Sequence, residues 1–129
     1  MSATLFVNLP VKDLKRSEAF FTALGLPFFA ATEDMAAVMV SEQAQIMLLT
    51  EPAFAEYSRT EIADPTKTTQ VILVLGMQNK AEVDEIAEKA AAAGAAPVGE
   101  ASDDGFRYRR GFTDLDGHHW TALCLATPA

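Results

Sequence analysis

The two histidines of the chain are neighbours, His118 and His119, and they open an apolar stretch that runs to Leu125. This stretch has the composition of a β-strand, and adjacent residues of a strand point to opposite faces of a sheet. The two imidazoles therefore cannot act as a ligand pair on one face. His119 shares its face with Thr121, and there an imidazole can accept, donate or relay a proton near neutral pH. It can equally be a hydrogen-bonding or packing group.

Other common catalytic arrangements are missing from the sequence. There is no glycine-rich phosphate loop and no Gly-x-Ser-x-Gly elbow. The one cysteine, Cys124, cannot form an intramolecular disulfide, and no histidine stands at a spacing that indicates a Cys-His pair. Asp114 and Asp116 flank Leu115 ahead of Gly117, a composition typical of a tight turn. The carboxylates predict no paired acid and base.

Length and charge limit the classes of partner. A chain of 129 residues corresponds to one domain with its own core. The net charge of −8 opposes binding to nucleic acid or to an anionic membrane surface. One basic cluster, residues 107–110, could attract an anion locally or be a solvated strand edge. The first residues lack the charge and apolar core of a signal peptide, and no apolar run reaches about 20 residues, so we expect a cytoplasmic protein.

The order of predicted elements occurs twice along the chain. Each copy reads strand, helix, strand, strand, strand, with the first helix capped by Asp13 and the second by Asn79. The first module spans residues 4–50, a connector with a short helix spans 51–67, and the second module spans 68–126. The predicted segments are strands at 4–10, 27–31, 35–40, 45–50, 69–75, 96–98, 107–113 and 118–125, with helices at 13–25 and 79–94.

The repeat predicts an α+β fold built from two βαβββ modules. Each module alone has one sheet face and one helix, which is little mass for a core. Two modules side by side would form a curved eight-stranded mixed sheet, with the helices on its convex face and a cleft on its concave face. Concave, partly apolar clefts are the usual place for small ligands.

Several motifs in the correct order resemble the vicinal oxygen chelate superfamily, which includes glyoxalase I, extradiol dioxygenases and the bleomycin resistance proteins. The segment Phe6-Val7-Asn8-Leu9-Pro10-Val11-Lys12-Asp13-Leu14, with Ser17, Phe20-Phe21 and Leu24-Gly25-Leu26 after it, is similar to the first βα unit of that superfamily. The closing Asp114-Leu115-Asp116-Gly117-His118 is similar to its last hairpin. The resemblance covers the whole chain and implies the double-module fold. Because members of the superfamily commonly form dimers, it also implies a homodimer.

The resemblance also implies where a metal would bind. In the metal-dependent members four strands each supply one ligand, usually His, Glu or Gln, and the matching positions in this chain are Phe6, Leu48, Gln70 and Thr121. Phenylalanine and leucine cannot coordinate a hard cation, and an amide with a hydroxyl does not replace anionic or imidazole ligands. We therefore expect no metal and no other cofactor. A divalent Zn, Ni, Fe or Mn ion at a rearranged site is the alternative.

The predicted cleft combines apolar walls with hydrogen-bonding groups. By strand alternation its lining contains Phe6, Asn8, Leu48, Gln70, His119 and Thr121. On the strand before the last hairpin, Tyr108 could stack on a ligand or Arg109 could pair with a carboxylate, and alternation leaves open which of them faces the cleft. Asn8 and Gln70 could instead bond to neighbouring backbone. These eight residues, with His119 as the candidate catalytic group, form the predicted site.

Three functions compete at this stage. The first is a metal-free protein that binds a small, neutral or weakly polar organic molecule. The second is a glyoxalase-I-like lyase or an extradiol-dioxygenase-like enzyme that uses a metal at a rearranged site or His119 as an acid or base. The third is an interaction module whose dimer is its function. We predict the first, because the ligand positions implied by the resemblance carry the wrong residue types.

Overall fold

A computed structural model describes residues 3–125 of the chain, which divide into two compact units with the boundary between Asp64 and Pro65. The first unit contains β1 (Leu5–Val11), α1 (Leu14–Ala23), β2 (Phe28–Ala30), β3 (Met35–Ser41), β4 (Ala44–Thr50) and α2 (Glu51–Tyr57). The second unit contains β5 (Ile72–Gly76), α3 (Lys80–Ala92), β6 (Ala96–Asp103), β7 (Arg107–Thr113) and β8 (His119–Leu125). The α+β class is confirmed.

Each unit contains one four-stranded mixed sheet, and the two sheets have the same topology. The strand order is β1-β4-β3-β2 in the first unit and β5-β8-β7-β6 in the second. The first strand of each unit is parallel to the last one, and the remaining pairs are antiparallel. Because order and direction repeat strand for strand, the predicted pair of βαβββ modules is confirmed.

The two main helices begin at the capping residues that the sequence predicts. The Asp13 carboxylate accepts a hydrogen bond from the backbone N–H of Arg16 at 3.1 Å, and Asn79 Oδ1 accepts from the backbone N–H of Glu82 at 2.9 Å. Both bonds satisfy N–H groups that have no partner inside the first turn. After each helix the chain reverses at a glycine with positive φ, Gly25 at 89° and Gly94 at 108°. Such a φ strains any residue with a Cβ.

Both sheets bury the face on which their helix packs. In the first unit the buried residues are Leu9, Val11, Ala36, Val38, Ile46 and Leu48 from the strands and Phe20, Phe21 and Leu24 from the α1 region. In the second unit they are Leu73, Leu75, Phe112, Trp120, Ala122 and Cys124 from the strands and Val83, Ile86, Ala87 and Ala90 from α3. Burial alternates along β8 as the period of a strand requires, and along β4 from Gln45 to Leu48, after which Leu49 is buried on the other face. The alternation fixes which residues are left on the other face.

Two strand boundaries differ from the prediction by more than one residue. β5 begins at Ile72 and not at residue 69, because Ile72 pairs with His119, the first residue of β8. The residues before His119 form a turn, so the chain before Ile72 has no partner strand. β6 extends to Asp103, and its register against β7 shifts between Val98 and Ser102. A bulge of this kind lets the edge strand continue past the predicted end.

Within residues 3–125, none of the helices has both the length and the apolar composition needed to cross a bilayer.

Candidate functional site

The second unit presents a sheet face that is turned away from α3, and we call it the open face. Its paired positions are Ile72 and Val74 on β5, His119, Thr121 and Leu123 on β8, and Arg109, Gly111 and Thr113 on β7. Ile72 and Val74 are 49% and 54% exposed, whereas Leu73 and Leu75 on the α3 side are 8% and 6% exposed. The open face therefore holds branched apolar side chains beside groups that can form hydrogen bonds.

The tight turn before β8 sets the position of His119 and Thr121. Asp114 Oδ1 accepts hydrogen bonds from the backbone N–H groups of Asp116 at 2.9 Å and His118 at 3.0 Å. Its Oδ2 accepts from the indole Nε1 of Trp120 at 2.9 Å. The backbone N–H of Asp114 donates to the carbonyl of His118 at 2.9 Å, which closes the turn. One buried carboxylate thus fixes both the turn and the first large side chain of β8.

Burial and hydrogen bonding act in opposite directions on the Asp114 carboxyl, and burial has the larger effect. Burial raises the pKa of the Asp114 carboxyl, while the nearby His118 and the three donors favour the ionised form and oppose that rise. His118 itself is buried, with 7% of its surface exposed. The turn that the sequence predicts at Asp114 and Asp116 agrees with this geometry.

His119 lies on the open face with its ring over Gly111. A Cβ added to Gly111 would stand 3.4 Å from Nε2 of His119, and 3.3 Å from both the Cβ and the carbonyl oxygen of Val98. Gly111 is directly opposite Thr121, and His119 is opposite Thr113, so the imidazole reaches diagonally across the two strands. Because Gly111 has no side chain, the ring can lie directly against the backbone of β7. A glycine inside a predicted strand is the sequence signal for such a close approach, and the sequence reasoning missed it.

Replacing Gly111 with alanine is expected to displace the His119 ring. The added methyl group would lie closer to the Cβ and the carbonyl oxygen of Val98 than ordinary packing allows, and it would touch Nε2 of His119, so these neighbours must shift by a few tenths of an ångström. We expect a changed NMR chemical shift of the His119 ring protons and a loss of about 1 kcal/mol of stability. Gly76→Ala is the matched control, because a Cβ at Gly76 meets nothing within 4 Å. Identical His119 signals in Gly111→Ala and the parent protein would contradict this geometry.

Tyr108 and Arg109 lie on opposite faces of β7, and the structure settles which of them reaches the open face. The Tyr108 hydroxyl donates to Asp84 Oδ1 on α3 at 2.5 Å, and Arg110 Nη1 donates to the same oxygen at 3.2 Å. The hydrogen bond between them raises the pKa of Tyr108 and lowers that of Asp84. Tyr108 thus fastens β7 to α3, which corrects its predicted place in the site. Arg109 shares the open face with Leu123.

Gln70 does not occupy the position that alternation along a longer strand would give it. It is exposed and precedes β5, which begins at Ile72, so no register pairs Gln70 with β8. The reason is the short partner strand, since β8 begins only at His119. Thr121, by contrast, is paired with Val74 in the middle of the open face.

In the first unit, Leu48 lies on the opposite face of the sheet from Phe6 and Asn8. Asn8 pairs with Met47, whereas Leu48 pairs with Leu9 on the face packed against α1, where Leu48 is 0% exposed. Phe6 lies on the same face as Asn8 and Met47, and it is 55% exposed. The placement of Leu48 in the cleft lining is therefore corrected: pairing with β1 shifts the alternation of β4 by one residue, and Met47 occupies the position expected for Leu48.

The positions that the superfamily uses for metal ligands do not fit a divalent cation in this chain. Phe6 and Leu48 offer no donor atom, and Leu48 is closed into the core. Gln70 precedes its strand, and Thr121 supplies only a hydroxyl. Within residues 3–125, no three His, Cys, Asp or Glu side chains come together in a group suited to a metal ion. Such a site normally needs several imidazole or anionic ligands.

Comparisons with known proteins agree with the fold and the repeat. A family model described as bleomycin resistance protein-like N-terminal matches residues 4–41. The hypothetical protein SA1046 from S. aureus is 32% identical, with 96% of this chain and 94% of that chain covered and a TM-score of 0.82. No curated protein matches the sequence.

Two further solved structures share the fold at lower identity. A glyoxalase/bleomycin resistance protein/dioxygenase family enzyme from Burkholderia phytofirmans PsJN is 17% identical over 94% of this chain and 97% of its own, with a TM-score of 0.77. TnmS3, an antibiotic binding protein from Streptomyces sp. CB03234, is 16% identical over 98% of both chains, with a TM-score of 0.71. The chain belongs to the vicinal oxygen chelate superfamily, among its glyoxalase- and bleomycin resistance-like proteins.

Proposed function

We propose that the protein binds a small organic molecule on the open face, without a catalytic divalent metal. The observation that carries the proposal is the half-exposed pair Ile72 and Val74 beside His119 and Thr121. Exposed apolar side chains that form a contiguous patch, as Ile72 and Val74 do on adjacent positions of one face, mark a surface suited to binding. The neighbouring imidazole and hydroxyl supply the few polar contacts that orient a ligand on an apolar wall.

The relatives support binding as a function but do not name a ligand for this chain. TnmS3, which shares the fold, is described as an antibiotic binding protein. A fold alone does not transfer a function, so the residues of the open face carry the proposal. A homodimer and a cytoplasmic location stay predictions from the sequence.

Metal analysis tests the proposal that the protein works without a catalytic divalent metal. Protein purified without chelators is expected to contain far less than one equivalent of Zn, Ni, Fe or Mn by plasma mass spectrometry, because the open face offers one imidazole, two threonine hydroxyls and no carboxylate at its paired positions. The same protein treated with a chelator is the control, and its unfolding midpoint should not change. A full equivalent of one of these ions, lost on chelation, would contradict the metal-free proposal.

A second candidate is a glyoxalase-like lyase or a dioxygenase relative that uses a rearranged site. The position of His119 on the open face is the observation that favours it, since a half-buried imidazole can serve as a general acid or base. Turnover of a hemithioacetal or a catechol that disappears in His119→Ala would establish this candidate. Turnover that His119→Ala leaves unchanged would remove His119 from the mechanism.

A further inference from the structure

We infer that the ligand of the open face is an organic anion with an apolar body, and that Arg109 binds its anionic group. The inference rests on the proposed function and narrows the class of ligand. It differs from the prediction made from the residue types alone, which is a neutral or weakly polar molecule. Three observations carry it: the charge of the open face, the lack of a carboxylate partner for Arg109, and the arrangement of donors around Gly111.

The open face differs in charge from the rest of the chain. The chain has 18 acidic and 10 basic residues. Among the positions that define the open face one is basic, Arg109, and none is aspartate or glutamate. A basic face on an acidic protein attracts anions locally, since interactions beyond about 10 Å are screened at ordinary salt. The acidic surface elsewhere therefore does little to repel an anion from this face.

Of the three arginines in the basic cluster, Arg109 is the one that has no carboxylate partner within residues 3–125. Arg107 lies 3.4 Å from Oδ2 of Asp104, and Arg110 lies 3.2 Å from Asp84 and 3.8 Å from Glu88. Among residues 3–125, no carboxylate lies within 4.0 Å of the Arg109 guanidinium. The planar guanidinium is suited to paired hydrogen bonds with a carboxylate or a similar anion.

The groups around Gly111 can all donate hydrogen bonds. Arg109 is two residues before Gly111 on β7, Thr121 is directly opposite it, and the His119 ring lies over it. Gly111 lies among these three donors and adds no side chain that would separate them. An ionised carboxylate or sulfonate accepts hydrogen bonds only, so it matches a set of donors better than a neutral hydroxyl or amide does. Ile72, Val74 and Leu123 are placed to contact the apolar body.

Two fluorescent probes with the same ring system separate charge from apolar contact. The anionic probe is 8-anilinonaphthalene-1-sulfonate, and the neutral probe is N-phenyl-1-naphthylamine, which lacks the sulfonate. The parent protein is expected to bind the anionic probe more tightly. Arg109→Gln should weaken the anionic probe about tenfold, as expected for loss of a hydrogen-bonded charge, and should change the neutral probe less than about twofold.

Arg107→Gln is the matched control, because it removes the same charge from the same strand at an arginine that already pairs with Asp104. It should change the affinity for either probe less than about twofold. The chain has two histidines, so the ring signals of His118 and His119 can be followed by NMR during each titration. The His119 signal should shift with both probes, and that of the buried His118 should not.

The outcomes distinguish this inference from the proposed function. If both probes bind with equal affinity and shift His119, the open face is a binding site and the inference of an anion is wrong. If Arg109→Gln weakens both probes equally, Arg109 contributes contact and not charge, and the inference is again wrong. If neither probe shifts the His119 signal, the proposed function itself fails, and the inference fails with it.

Discussion

Replacing Asp114 with alanine is expected to lower the free energy of unfolding by about 4 kcal/mol, since each buried donor left without an acceptor costs about 1–3 kcal/mol. The substitution would leave three donors without their acceptor: the backbone N–H groups of Asp116 and His118 and the indole N–H of Trp120. Asp114 is 6% exposed, so water has little access to replace the carboxylate. Urea unfolding followed by Trp120 fluorescence measures the loss directly, because Trp120 is the one tryptophan of the chain.

The turn between β6 and β7 supplies a matched control. Asp104 Oδ1 accepts from the backbone N–H groups of Phe106 at 2.9 Å and Arg107 at 2.6 Å, and Oδ2 accepts from the Arg107 guanidinium at 3.4 Å. The bonding pattern matches that of Asp114, but Asp104 is exposed and water can replace it. Asp104→Ala should therefore cost about 1 kcal/mol or less. Equal losses in the two variants would show that burial does not set the contribution of Asp114.

The pKa values of these two carboxyl groups also shift in opposite directions. Backbone hydrogen bonds lower the pKa of Asp104, whereas burial raises the pKa of Asp114 although it accepts the same number of bonds. Desolvation therefore outweighs hydrogen bonding at Asp114. The carboxylate accepts from three donors at once, and no single apolar side chain can take that role.

The double-module fold was predictable because its signals are local. Capping residues such as Asp13 and Asn79 and the terminating glycines mark the helices, and strand composition marks most of the strands. The order of elements, found twice, then determines the topology. The start of β5 was not predictable in this way, since it depends on how far the partner strand β8 extends beyond the turn at Asp114.

The candidate site was predictable only where one face of a strand is clearly polar or apolar. His119 and Thr121 alternate with buried Trp120 and Ala122, and the structure places the first pair on the open face as expected. In β4 the sequence Ile46-Met47-Leu48-Leu49 is apolar on both faces, so only the pairing with β1 shows which residues enter the core. For Tyr108 and Arg109 the decisive information is the contact with Asp84 on α3, a residue distant in sequence.

Leu48→Ala is expected to lower the free energy of unfolding by about 3 kcal/mol, the usual cost of emptying a fully buried leucine site. Leu48 is 0% exposed and lies among Leu9, Ala36 and their neighbours, which are fixed by hydrogen bonding of β4 to β1 and β3. The cavity left by the substitution cannot close easily, because strands on both sides hold the backbone in place. Chemical unfolding of the purified variant measures the effect.

Met47→Ala is the control for Leu48→Ala, since it removes a side chain of similar size from the adjacent residue of the same strand. Met47 is half-buried on the other face, beside Asn8 of β1. Its truncation should cost about 1 kcal/mol, because less apolar surface leaves the protein interior and a flexible thioether packs loosely. A loss at Met47 that equals or exceeds the loss at Leu48 would reverse the two faces of β4, and would return Leu48 to the ligand-binding side.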